Sequence, residues 1–304
     1  MIYVSWYIKK HYKWLDLTVQ PNLNALNQKN SVIIHQISGL VFSNTDILIL
    51  TYICGLKTVS IYSMYAMIYG MVNNVIQIIA NSVNAALGQI FNSDRKKYEE
   101  IQEAYETYYL ALVFALFTIV AIFILPFMGL YTRGADINYI DKKIVVLFTI
   151  YQLLNYGRNS SGQIIGFAGC FKQTQSRAII ETVINLIVSL TCVFKWGIYG
   201  VLLGTIAALL YRANDMIYYA NVIIMKRSPW PTYRRWILNF GVLLVCVFVN
   251  SKLQLQINSY VMFAIYGVVI GSLIFILFLV VNSISEKKAR GIALHYVKEI
   301  FYKR

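Results

Sequence analysis

Eight stretches of this chain, at about 31–54, 59–90, 107–131, 143–167, 177–195, 198–225, 236–251 and 258–282, are apolar enough to be read as membrane-spanning helices. A helix needs about 20 mostly apolar residues to cross the hydrocarbon core. In lipid, only elements that satisfy their own backbone hydrogen bonds are stable. The expected fold class is therefore all-α integral membrane. Composition agrees: 58% of the 304 residues are hydrophobic, 13% are charged, and mean hydropathy is +0.58. Soluble domains carry about 25% charged residues, so a disordered, coiled-coil, collagen-like or disulfide-stapled chain is excluded. The second stretch is over-long and polar on one side, and the seventh is short. Pro126, which lacks an N–H, is expected to end or kink the third helix.

The net charge of +14 does not point to nucleic acid, because the basic residues lie in short segments between apolar runs, where they set topology. With the N-terminus inside, 19 of the 27 Lys and Arg fall on the cytoplasmic side and six outside. The expectation is a multi-pass protein of the inner (plasma) membrane with both termini cytoplasmic. Residues 1–30 read as a cytoplasmic leading segment, 31–225 as six helices, 226–284 as two additional helices and 285–304 as a basic tail. The tail carries a possible apolar stripe (Ile292, Val297, Ile300, Phe301) that would suit an anionic leaflet; a merely solvated tail is the alternative. Residues 94–106 read as a charged helical link. Cys54, Cys170, Cys192 and Cys246 are scattered, without CxxC or His/Cys spacing, and read as packing residues.

Ionisable groups at membrane depth are expensive and normally face a partner or a cavity. Asp46 sits past the middle of its span, and His35, eleven residues earlier, returns to the same face within about 20°. An ion or proton site at Asp46 and a satisfied interhelical hydrogen bond are both open. Arg212 and Asp215, three apart, can pair on one helix; otherwise Arg212 presents a cation to an anionic substrate with Asp215 as counter-ion. Arg158 has no acidic neighbour within a turn of its own helix. It reads as a phosphate or carboxylate contact, or as the partner of an acid on another helix. Glu181, one turn inside its helix, reads as structural and snorkelling.

Two amide stripes are more informative than the charges. Asn73, Gln77, Asn81 and Asn84 fall within about 80° of arc, with Asn74 flanking, and Gln152, Asn155, Asn159 and Gln163 repeat the pattern on the fourth span. Amides facing lipid are costly, so the stripes predict a polar cavity between helices, with interhelical amide bonding as the alternative. Gly162/Gly166, Gly200/Gly204 and Gly267/Gly271 have the spacing of close helix packing. No GxxxxGK[ST], HExxH or GxSxG motif is present, nor any cluster of His and carboxylates at an aqueous face. No catalytic residue, metal or cofactor is expected. A polar-lined bundle of this kind points to a secondary transporter.

Ser31 to Ser38, then Asn44-Thr-Asp46-Ile-Leu-Ile-Leu and Gly55-Leu-Lys-Thr-Val-Ser-Ile-Tyr62-Ser-Met-Tyr, resemble the opening of the second half of bacterial polysaccharide (O-unit) flippases, of the multidrug/oligosaccharidyl-lipid/polysaccharide export superfamily. A long helix, a charged link and a helix with Asn155-Tyr-Gly-Arg158-Asn follow in the same order. The similarity runs from about residue 5 to about 285, its later part by hydropathy more than motif. The resemblance implies the second lobe of a V-shaped, MATE-like transporter with extra C-terminal helices, moving a lipid-diphosphate-linked oligosaccharide between leaflets by alternating access. It implies that Arg158 and Arg212 suit phosphates or acidic sugars, and that Asp46 or Asp215 couples an ion. It also implies a first lobe, so that the chain is a truncated piece of a longer transporter or a separate chain or a second copy supplies that lobe, and that residues 1–8 match the end of that lobe's last helix. A multidrug or cation antiporter of the same superfamily and an inactive remnant are the alternatives. A polysaccharide polymerase would need a large outer loop, which is lacking.

Overall fold

A computed structural model describes residues 2–12, 14, 27–253 and 257–302. Every regular element among the described residues is helical. In chain order they are α1 (Ile2–His11), α2 (Lys29–Ile53), α3 (Leu56–Ser93), α4 (Arg95–Tyr131), α5 (Lys142–Gly157), α6 (Asn159–Phe167), α7 (Phe171–Trp196), α8 (Ile198–Tyr218) with a π-helical turn at Tyr219–Ile224, α9 (Trp230–Leu253), α10 (Tyr260–Ser285) and α11 (Lys287–Tyr302). Five of them (α2, α4, α7, α9 and α10) are long and apolar enough to cross a membrane. The other expected spans correspond to α3, to α5 with α6, and to α8 with its π-helical turn. Much of the expected leading segment at 1–30 lies outside the described residues.

α4 is the central element. Its apolar window is 61% buried, against 17% for α2, α9 and α10, and α3, α5, α9, α10 and α11 all pack on it. Asp94 starts it by accepting from Lys97 N at 3.0 Å, which satisfies one of the free N–H groups of the first turn. Asp141 caps α5 in the same way, through Lys143 N at 2.8 Å and Ile144 N at 3.3 Å. On α3, Tyr62, Tyr65 and Tyr69 share one buried face and stack around Phe148 of α5. Their hydroxyls find partners, as buried phenols must: Tyr65 donates to Tyr139 O at 2.7 Å, and Tyr69 Oη lies 2.7 Å from Thr149 Oγ1.

Of the two outcomes expected at Pro126, it does not end α4, which runs on to Tyr131. The fourth span is not one helix: it breaks at Arg158, where ψ of −8° departs from helical values. Gly157, just before the break, lies under the Trp236 ring of α9, and a Cβ there would sit 2.6 Å from Cη2. The charged segment 94–106 is helical, as expected, and forms the start of α4. Its inner face carries Gln102 and Glu106, both buried, and the carboxylate of Glu106 pairs with buried Arg235 and accepts from Thr232 at 3.0 Å. Arg227 donates to Gln102 Oε1 at 2.6 Å, and Arg235 also lies 3.4 Å from Glu286. Asn239 and Asn282 exchange amide hydrogen bonds at 3.2 and 2.8 Å. Polar contacts as well as apolar ones thus hold α9 to α4 and α10 to α9.

α11 packs on α4. Ala289 is buried there, Ile292 and Tyr296 are partly covered, and Arg290, Leu294 and Lys298 face outward. The side chains of Val297, Ile300 and Phe301, which completed the expected stripe, lie outside the described residues. The four cysteines are free, Cys246 buried and the others half-buried.

Candidate functional site

α7 and α8 form the tightest helix pair, and two polar clusters of the bundle lie against them. Gly197, at φ +54°, makes the one-residue turn between them, a backbone conformation that favours glycine. Gly200 and Gly204 then let the backbones meet. A Cβ at Gly204 would lie 2.6 Å from Ser189 N and 2.9 Å from Ser189 Cα, and one at Gly200 would lie 2.8 Å from Val193 N. This GxxxG pair serves packing within the chain. Gly162 and Gly271 meet only side chains at 3.5 Å and 3.7 Å, and nothing lies within 4 Å of Gly166 or Gly267.

At this close contact the buried carboxylate of Asp46 reaches across from α2. Tyr62 Oη donates to its Oδ2 at 3.0 Å, and Thr205 Oγ1 of α8 lies 2.8 and 3.0 Å from its two oxygens. Asn185 Nδ2 of α7 donates to Thr205 Oγ1 at 3.0 Å, which leaves Asn185 Oδ1 buried without a partner. One turn on, Ser189 donates to Val201 O at 3.2 Å. A carboxylate, three hydroxyls, an orphaned amide oxygen and a backbone carbonyl are hard oxygen donors. His35 faces α7 from α2, with Nε2 at 3.1 Å from Phe171 O and 3.2 Å from Thr174 Oγ1.

About two turns along α8 from Thr205 lies the second constellation. Arg158 reaches Glu181 at 2.6 Å and Asn155 Oδ1 at 3.2 Å. Glu181 also lies 3.4 Å from Arg212, Arg212 pairs with Asp215 at 2.6 Å, and Asp215 meets Arg177 at 2.9 Å. Three guanidiniums alternate with two carboxylates, leaving one surplus positive charge. Arg158 has found its acid on another helix, and Arg212 and Asp215 pair as their spacing allowed. Glu181 is corrected: it does not snorkel but bridges two arginines from a buried position, 8% exposed. Arg177, read only as a topology charge, stacks on Tyr219 at 4.5 Å and closes the chain.

The two amide stripes do not meet across a cavity inside this chain. On α3, Asn74, Gln77, Asn81 and Asn84 are exposed and Asn73 is half-buried with Oδ1 unpartnered; the one contact to α5 is Gln77 to Tyr156 Oη at 3.4 Å. The other stripe turns inward. Gln152 is buried, Asn155 joins Arg158, Asn159 donates to Tyr109 Oη at 3.2 Å, and Gln163 Oε1 is buried without a partner. The Asn185–Ser189–Thr205 group was not singled out from sequence, although Asn185 and Ser189 stand one turn apart beside the glycine pair.

No family model and no curated protein matches this sequence. A solved structure does: "Lipid II flippase MurJ, inward closed conformation" superposes with a TM-score of 0.61 over 84% of this chain, at 16% identity. The chain has a MurJ-like fold. It spans about half of that flippase, 52% of its length. With its apolar helices, the MurJ-like fold makes this a multi-pass membrane protein.

Proposed function

We propose that the chain carries a polyprenyl-diphosphate-linked oligosaccharide across the inner membrane by alternating access, for surface polysaccharide synthesis. The observation that carries this reading is the likeness to a lipid II flippase over most of the chain; the O-unit motifs around Asp46 and Tyr62 narrow the substrate to polysaccharide precursors. The exposed amides of α3 (Asn73, Asn74, Gln77, Asn81 and Asn84) are assigned to the sugar path, because amides turned to lipid are costly. That face calls for a second lobe. Gln152, Asn155, Asn159 and Gln163 support the path from within. Arg158 and Arg212 act through their network, whose surplus positive charge draws the diphosphate, with Asp215 as counter-ion. Asp46 couples the ion, with Thr205, Asn185 and Ser189 as its companions.

Deleting the gene is expected to raise the pool of polyprenyl-diphosphate-linked oligosaccharide, measured by mass spectrometry of lipid extracts, and restoring the 304-residue chain to lower it. An unchanged pool ends this reading. Asp46→Asn is expected to leave the protein folded, since an amide keeps a hydrogen-bonding partner for Tyr62 and Thr205. It should abolish the response of transport to the ion gradient while a Ser43→Ala control retains it. Transport that follows the gradient equally in Asp46→Asn removes Asp46 from coupling.

A further inference from the structure

α5 and α9 both pack on α4, touch where Trp236 covers Gly157, and part toward the N-terminus of α5. Between them lies a cavity of about 530 Å³, floored by Ile122, Leu125 and Pro126 of α4 and walled by α5 and α9. That size is typical of a ligand site, roughly 300–1,000 Å³. Its deep end, at Leu153 and Leu243, is apolar. Thr149, the polar side chain between the ends on α5, already bonds to Val145 O at 2.7 Å and to Tyr69. Water does not fill an apolar space of this kind.

The groove has the length and polarity of one leaflet. From Lys142 at the mouth to Leu153 is eleven residues of helix, about 16 Å, or half the ~30 Å hydrocarbon core. Thr149 aside, the polar groups of the lining gather at the mouth: Lys142, Asn250 and Ser251, with Lys143 and Lys252 next in sequence. The nearby acid, Asp141, is engaged by the α5 N-cap and by Tyr199. No residue of α3 lines the groove, which separates it from the exposed amide stripe.

We propose that this groove is a binding site for one acyl chain of an anionic glycerophospholipid, with the headgroup phosphate on Lys142. A chain confined to one leaflet fits this depth, and the basic mouth selects the anionic headgroup. The site does not depend on what the protein transports.

The test is native mass spectrometry of the purified chain released from nanodiscs of phosphatidylglycerol, of phosphatidylcholine, or of phosphatidylcholine doped with polyprenyl phosphate. The wild type is expected to retain one phosphatidylglycerol in preference to phosphatidylcholine. Lys142→Glu, on an exposed side chain that leaves the core untouched, should lower that preference roughly fivefold or more, the worth of one interfacial lysine. Val146→Trp, which fills the groove, should remove retained lipid of both kinds, with circular dichroism confirming unchanged helicity. Equal retention in wild type and both variants overturns the site. Displacement of phosphatidylglycerol by polyprenyl phosphate, one for one, overturns the choice of occupant.

Discussion

Glu181→Gln is expected to destabilise the protein by about 3–5 kcal/mol, the penalty for removing one partner from a buried ion pair. Glu181 is only 8% exposed and its two carboxylate oxygens serve Arg158 at 2.6 Å and Arg212 at 3.4 Å. An amide keeps the shape but sets two guanidiniums against each other across α5–α6, α7 and α8, with only Asp215 left to balance Arg158, Arg177 and Arg212. Thermal unfolding in detergent checks this, followed by tryptophan fluorescence from Trp196 and Trp236. The double change Arg158→Gln with Glu181→Gln should recover a large part of the loss, because it removes the stranded cation together with its partner. A single variant as stable as wild type would show that water already screens these charges.

Gly204→Val is expected to separate α7 from α8, at a cost at or above the ~1–3 kcal/mol of an overpacked core. The added atoms meet Ser189 N and Cα, at 2.6 and 2.9 Å from Cβ alone, and backbone cannot rotate away as a side chain can. Thr205 is the next residue, so the same change should pull its hydroxyl from Asp46 and disturb both stability and ion response. Gly166→Ala is the matched control: it belongs to another GxxxG pair, nothing lies within 4 Å of it, and it should be close to neutral. Comparing detergent half-lives of the two variants decides the point; equal behaviour would falsify the claim that the Gly200/Gly204 contact holds the helix pair.

Much of this protein was legible in its sequence because the membrane limits the choices. Long apolar runs have to become helices, so the class, the approximate extents of most helices and the polar character of one face of α3 follow from local pattern. Pairing at short range was also readable: Arg212 and Asp215 are three residues apart, and helix geometry alone lets them meet. His35 and Asp46 share a face of α2 for the same reason, His35 meeting α7 and Asp46 meeting α8.

What lies between helices was not readable, because hydropathy and periodicity say which face is polar but not what stands opposite it. Glu181 has the same local surroundings whether it snorkels or bridges two arginines, and only the packing of α5–α6 and α8 against α7 decides. Thr205, Asn185 and Ser189 are ordinary small polar residues until Gly200 and Gly204 bring two backbones together beside Asp46. The two amide stripes have equal arcs, yet one is turned inward on α5–α6 and the other lies exposed on α3. Sequence by itself determined the membrane class, the helices and their polar faces, since those depend on neighbours one to four residues away. Tertiary structure alone decided which charges are balanced, where the oxygen donors converge and which stripe is free, since those depend on contacts between residues as much as 159 positions apart, as Thr205 is from Asp46.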